Sequence, residues 1–150
     1  MYVYGGPGFQ AVDDKWNQYD YETYLAGSQE IVYAMIDPKG SGFQGTDWMF
    51  SVYKNFGGPE VSSTIEVTKY LQNNLNYIDS KKTAIWGWSY GGFLSLSVLA
   101  QEVDGVFKCA ASVAPVVDWR LYDTYYTVSN SVYTILLFRL NRWVPSWKDL

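Results

Sequence analysis

The residues whose types and spacing could do chemistry are Gly87-Trp88-Ser89-Tyr90-Gly91-Gly92. One serine stands between glycines, after a run with strand composition (Thr83-Ala84-Ile85-Trp86) and before the apolar stretch 93–100. Strand, sharp turn and helix together can lift a serine above a sheet as a nucleophile. The turn imposes an uncommon backbone conformation, and glycines flank it because a Cβ there would collide across the bend. The backbone N–H of Tyr90 would then face the negative charge that develops on a carbonyl under attack. Taken alone, Gly-x-Ser-x-Gly is more often a turn; the flanking elements are what favour a catalytic Ser89. A serine hydroxyl needs a base to attack at neutral pH, and the 150 residues contain no histidine.

The elements that would position this serine follow from composition and period. Tyr2–Tyr4 reads as the end of a strand, closed by Gly5-Gly6-Pro7-Gly8. A short helix is expected over Tyr21–Ala26, and the continuous apolar run Ile31–Ile36 reads as a strand covered on both faces. A helix is expected over Asp47–Asn55. A second is clearer, because Val61, Ile65, Thr68, Leu71 and Leu75 recur at helical spacing with Pro59 near the first turn. Phe93–Ala100 is apolar nearly all round and predicts a deeply buried helix. Cys109–Ala114 predicts a further buried strand, stopped by Pro115, with Cys109 a small core residue. Strands alternating with helices imply a parallel sheet with right-handed crossovers. With the serine turn, the fold class is α/β, of the α/β-hydrolase type.

Composition narrows the function. Hydrophobic residues at 48% and charged residues at 17% describe a globular chain with enough length for one core. The balance of 11 basic against 15 acidic residues, with no basic run, argues against nucleic acid as a partner. No histidine and one cysteine leave no conventional zinc site. No signal peptide is visible, and the apolar run Val132–Phe138 is too short to span a bilayer. Aromatic content is high at 19%, which suits extensive ring packing or an apolar pocket.

Three further features carry a chemical reading and a plainer one. Gly40-Ser41-Gly42-Phe43-Gln44-Gly45 matches a dinucleotide fingerprint, but Asp37-Pro38-Lys39 separates its first glycine from the strand, and Glu60 falls in a helix instead of ending a second strand. A tight loop over the sheet is preferred. Tyr4 is either a packing residue or a second donor to an oxyanion, if its loop lies beside the serine turn. Val116, Trp119, Tyr122 and Tyr126 are equally a packed face or the lining of a pocket.

Several motifs in order now carry a specific resemblance: Tyr4-Gly5-Gly6-Pro7-Gly8, Asp37 with Gly40 to Gly45, Ala84 to Gly92, Val106-Phe107-Lys108-Cys109, Ala114-Pro115-Val116, and Trp119 with Tyr122-Asp123 and Tyr126-Thr127. Over residues 2–127 the chain resembles the catalytic domain of dipeptidyl peptidase IV-like serine peptidases of the prolyl oligopeptidase family. The resemblance implies about strands three to six of the hydrolase sheet. It implies Ser89 as nucleophile, with Tyr4 and Tyr90 forming the oxyanion hole. It implies a proline pocket lined by Tyr90, Val116, Trp119, Tyr122 and Tyr126. The implied reaction is hydrolysis of peptides after proline or alanine through an acyl-enzyme, without a cofactor. Full-length relatives typically dimerise, which nothing in this chain tests, and the resemblance implies peptide substrates and a setting that is secreted or type II plasma-membrane, facing outward.

The departures are as specific. The family places its acid and its histidine well downstream of Tyr126, and a propeller domain upstream carries the glutamates that grip a substrate's amino terminus. Neither is expected in this chain, so the chain alone is expected to be inactive. Asp37-Pro38-Lys39 stands where Asp-Gly-Arg is usual. At Thr127 the resemblance stops, and Val128-Ser129-Asn130 could be written in codons that begin with a splice-donor consensus. Residues 1–127 are therefore expected to form a partial peptidase domain, and 128–150 a non-family tail from intron read-through or a gene-model error. A non-catalytic binding protein and an α/β-hydrolase esterase are the alternatives. The esterase is disfavoured because Tyr4-Gly5-Gly6-Pro7-Gly8 occupies the place of an His-Gly-Gly-Gly motif.

Overall fold

The computed structural model describes residues 1–16 and 20–129. The expected tail 128–150, with its Val132–Phe138 run, lies outside the described residues except for Val128 and Ser129. These two belong to a helix that crosses the expected boundary at 127.

In chain order the elements are β1 (Tyr2–Val3), α1 (Tyr21–Ser28), β2 (Met35–Ile36), α2 (Thr46–Phe50), α3 (Pro59–Asn74), β3 (Ala84–Trp88), α4 (Tyr90–Gln101), β4 (Cys109–Val113) and α5 (Thr124–Ser129). Short 3-10 turns occupy Ser80–Lys82 and Trp119–Leu121. All strand pairs are parallel, in the order β2-β1-β3-β4. This is the partial sheet of an α/β-hydrolase fold.

The order has a consequence for function. From β1 the chain passes to β2 on one side, and from β3 it passes to β4 on the other. The loops leaving β1 and β3 therefore diverge, and a crevice opens between them at the carboxyl ends of the strands, where ligands bind in open α/β sheets. Tyr4 follows β1 and Ser89 follows β3. The topology brings both to that crevice.

Local chemistry explains the element boundaries. Asp20 caps α1 by accepting from Tyr21 N at 2.7 Å. Pro59 opens α3, where its missing N–H costs nothing, and Glu60 follows in the first turn. The α2 helix ends at Phe50, short of the expected Asn55. Its continuation tightens into turns through Ser51 N to Trp48 O and Tyr53 N to Phe50 O, and Lys54 then adopts φ 58°.

The core gathers Val3, Val61, Ile85, Tyr90, Leu94, Val98, Val106, Phe107, Val116 and Trp119 around α4, which packs on β1, β3, β4 and α3. Each aliphatic side chain buried completely contributes roughly 1.5–3 kcal/mol.

Three expectations of burial are corrected. Only Met35–Ile36 of the Ile31–Ile36 run forms a strand beside β1, and Ile31 and Val32 are half exposed because β2 is, among the described residues, an outer strand beside a two-residue neighbour. The apolar helix α4 buries Leu94, Ser95 and Val98 but leaves Leu96 and Leu99 about 40% exposed, since only one of its faces meets the sheet. Cys109 is exposed, not a core residue. It opens β4, the other outer strand among the described residues, whose side chains are only partly covered.

Candidate active site

Ser89 sits between β3 and α4 with φ 58° and ψ −114°, a left-handed conformation that costs a residue with a side chain on the order of 1–3 kcal/mol. Three contacts hold it there. Ser89 N donates to Val113 O at 2.9 Å, Phe93 N donates to Ser89 O at 3.1 Å, and α4 packs immediately behind. The glycines are required by close approach. A Cβ on Gly87 would lie 2.4 Å from both Gly91 O and Val3 O, and one on Gly92 would lie 2.9 Å from Val113 O. The hydroxyl of Ser89 makes no capping bond to its own helix.

Tyr90 is the first residue of α4, so its N–H has no carbonyl four residues back within the helix. That free donor lies beside the serine at the positive end of a twelve-residue helix. Tyr4 enters from the neighbouring strand, its ring centroid 4.5 Å from Phe9 and 6.5 Å from Tyr90. Burial, then the nearby Tyr122 phenol, pushes the Tyr4 hydroxyl's pKa up. It stays protonated and available as a donor.

The loop that carries Tyr4 is fastened by the glycine segment that resembled a dinucleotide fingerprint. Gly8 N donates to Gly40 O and Gly42 N to Phe9 O, both at 2.9 Å, and a Cβ on Gly42 would stand 2.4 Å from Gly8 O. Asp37 adds two further ties, its carboxylate oxygens accepting from Ala11 N and Val12 N at 2.8 Å each. The segment is a clasp between two loops.

Val116 and Trp119 share the buried cluster with Tyr90, and Tyr122 and Tyr126 pack on Trp119. The Trp119 ring lies 5.7 Å from Tyr90, 5.6 Å from Tyr122 and 6.1 Å from Tyr126, nearly parallel to the last at 7°. Tyr122 and Tyr126 meet edge to face at 5.4 Å. Asp118 and Asp123 set the backbone that presents these rings: Asp118 accepts from Arg120 N, and Asp123 accepts from Tyr126 N at 2.8 Å at the start of α5. The Arg120 guanidinium holds the Asp118 carboxyl below its usual range. Burial, then the Tyr4 and Tyr122 phenols, pushes the Tyr126 hydroxyl's pKa up.

Three residues at this site escaped the reading of the sequence. Phe56 meets Tyr90 at 5.4 Å and Trp119 at 5.0 Å, and Phe93 meets the same rings at 5.5 and 5.2 Å. The third is Glu60, fully buried at 0% exposure, whose Oε1 accepts from Gly57 N at 2.5 Å and from the Tyr90 hydroxyl at 3.0 Å. Burial pushes the Glu60 carboxyl's pKa up, against the pull of these donors. Its only visible signal in the sequence was an acidic residue in the first turn of a helix.

Comparison with known proteins agrees with this architecture. Residues 17–136 match the prolyl oligopeptidase family. The chain is 43% identical over 125 residues to venom dipeptidyl peptidase 4 of Vespa velutina, covering 83% of this chain and 16% of that protein. It is 42% identical to dipeptidyl peptidase 4 of Sus scrofa over a stretch of the same length and the same shares. It is 40% identical over 127 residues to probable dipeptidyl-aminopeptidase B of Penicillium rubens, covering 85% and 14%. The crystal structure of Porphyromonas gingivalis dipeptidyl peptidase 4 superposes with a TM-score of 0.78 at 37% identity, over 91% of this chain and 20% of that one.

The chain belongs to the prolyl oligopeptidase family, within which its relatives are dipeptidyl peptidases. It spans about a sixth of the length of the curated relatives it matches.

Proposed function

We propose that the chain carries the nucleophile, oxyanion hole and proline pocket of a serine peptidase that cleaves peptides after proline, or after alanine. The observation that supports this most is the approach of Tyr4 and Trp119 to Tyr90, with Tyr122 and Tyr126 packed on Trp119, next to a serine in a left-handed turn. A box of aromatic faces suits a pyrrolidine ring, which is compact, apolar and offers no N–H.

In the reaction, Ser89 Oγ bonds to the carbonyl carbon while its proton passes to a base. The carbonyl oxygen takes up the displaced electron pair and is held by the Tyr90 N–H and the Tyr4 O–H. Collapse expels the amine, which leaves with the proton, and water then releases the acyl group from Ser89 by the same steps. Residues 1–150 hold no histidine. The base and the carboxylate that orients it come from polypeptide outside them, and residues 1–150 alone turn over no substrate. No cofactor enters the scheme. Secretion, or an outward-facing membrane protein, is the setting proposed, supported by relatives whose name places them in venom. Among the described residues no helix is long and apolar enough to cross a membrane.

The test is a transplant. Residues 2–127 replace the matching segment of the Vespa velutina enzyme, and turnover of a Gly-Pro anilide is compared with that of a simple ester. Preference for the anilide supports the proposal; a transplant that hydrolyses only the ester sinks it.

A further inference from the structure

A carboxylate with no exposed surface is expensive unless something is gained by placing it there, since burial of an unpaired charge costs several kcal/mol and glutamate is almost never fully buried without partners. Glu60 is in that position. Part of its role is local, because Oε1 accepts from Gly57 N just ahead of α3, and a serine or aspartate could cap the helix at lower cost. What a shorter side chain could not do is reach the Tyr90 hydroxyl, thirty residues on in sequence. Tyr90 is 2% exposed and is enclosed by Phe56, Phe93 and Trp119. Packing alone would be served equally well by phenylalanine. The hydroxyl and the carboxylate are therefore a matched pair, and the ring between them is the one that adjoins Ser89.

We propose that Glu60 is a positioning residue for the pocket that receives the proline ring: through the Tyr90 hydroxyl it fixes the aromatic wall beside Ser89. The proposal rests on the post-proline reading above. The clamp acts at one end of the phenol while Phe56, Phe93 and Trp119 confine its faces and edges, so the ring has one orientation. Without it the ring is still covered but is free to tilt within a soft apolar cluster, and the pocket loses its fit to a five-membered ring. Glutamine at position 60 keeps the accepting oxygen; alanine removes it.

The test uses the Vespa velutina enzyme carrying residues 2–127 of this chain, which retains the remainder of the binding machinery. It carries 13Cζ-labelled tyrosine and is taken as the unsubstituted transplant (wild type), Glu60→Gln, Glu60→Ala and Tyr90→Phe. Two readouts are taken: the Tyr90 resonance, assigned from its loss in Tyr90→Phe, and the affinity for an aminoacyl-pyrrolidide by tryptophan fluorescence. Glu60→Gln is expected to keep the resonance and to bind within about twofold of wild type. Glu60→Ala and Tyr90→Phe are each expected to bind about tenfold more weakly, with the Glu60→Ala resonance displaced. Tyr90→Phe preserves the packing, so its result stands even where Glu60→Ala unfolds. Wild-type affinity in Tyr90→Phe overturns the positioning role and leaves the pocket intact. Absence of pyrrolidide binding by the wild type overturns the post-proline reading, and this proposal with it.

Discussion

A Cβ placed on Gly91 would lie 2.1 Å from the carbonyl oxygen of Val3 and 2.9 Å from Cα of Tyr4. The first turn of α4 thus rests on the last residue of β1, backbone against backbone. Gly91→Ala is expected to push α4 off β1 and to destabilise the chain by about 3 kcal/mol, the upper part of the overpacking range, because backbone cannot move aside as a side chain can. Urea unfolding of the 150-residue chain measures this, and an unchanged midpoint would show that β1 and α4 are not in such contact.

Tyr4→Phe removes one proposed oxyanion donor and keeps the ring that packs on Phe9. In the transplanted enzyme kcat for a Gly-Pro anilide should fall about 10²–10³-fold with little change in KM, as expected for a donor used mainly in the transition state. A fall in affinity with kcat preserved would make Tyr4 a wall of the pocket instead.

What is legible of the candidate site in the sequence is local. Ser89, its glycines and the strand and helix around them are contiguous, and their spacing encodes the strand–turn–helix geometry. Val116, Trp119, Tyr122 and Tyr126 also lie close together in sequence, although their residue types alone left a packed face and a pocket equally open, and only the family resemblance favoured the pocket. What stayed illegible was pairing across space. Glu60 and Tyr90, or Asp37 and the N–H groups of Ala11 and Val12, are joined by the crossover of the chain and leave no periodic trace. Burial was misjudged for a related reason. An apolar run such as the one around Cys109 looks the same in a central strand and in an outer one, and position in the sheet is a global property.

The Asp37 clasp offers a test of how the Tyr4 loop is held. Asp37→Ala frees two backbone N–H groups at a partly exposed site and should cost about 1–2 kcal/mol, below the value for a buried charged acceptor. Amide exchange in residues 8–12 should accelerate ahead of the core. Uniform exchange behaviour, with no local change, would mean that the Gly8–Gly40 and Phe9–Gly42 bonds suffice.

Glu60 also gives a pH signature. Burial raises its folded pKa above the unfolded value of about 4.5, so the native state binds a proton more readily than the unfolded chain does. Stability from this group is complete below the unfolded pKa and is lost as pH rises through the raised folded value. Glu60→Gln removes that dependence. Compared at pH 4 and pH 7.5, the Tm of the wild type should decline relative to that of Glu60→Gln; a difference that stays constant, or moves the other way, would mean that Glu60 is ionised as easily in the fold as in water.

The central claim is that Ser89 is the nucleophile of a post-proline peptidase and that residues 1–150 hold it without its base. Covalent trapping tests this most directly, by treating both the transplanted enzyme and the 150-residue chain with a dipeptidyl-proline phosphonate and mapping the adduct by peptide mass spectrometry. The account predicts one adduct per molecule on Ser89 in the transplant, none in its Ser89→Ala variant and none on the 150-residue chain. An adduct elsewhere in the transplant, or rapid modification of Ser89 in the chain that contains no histidine, would contradict it.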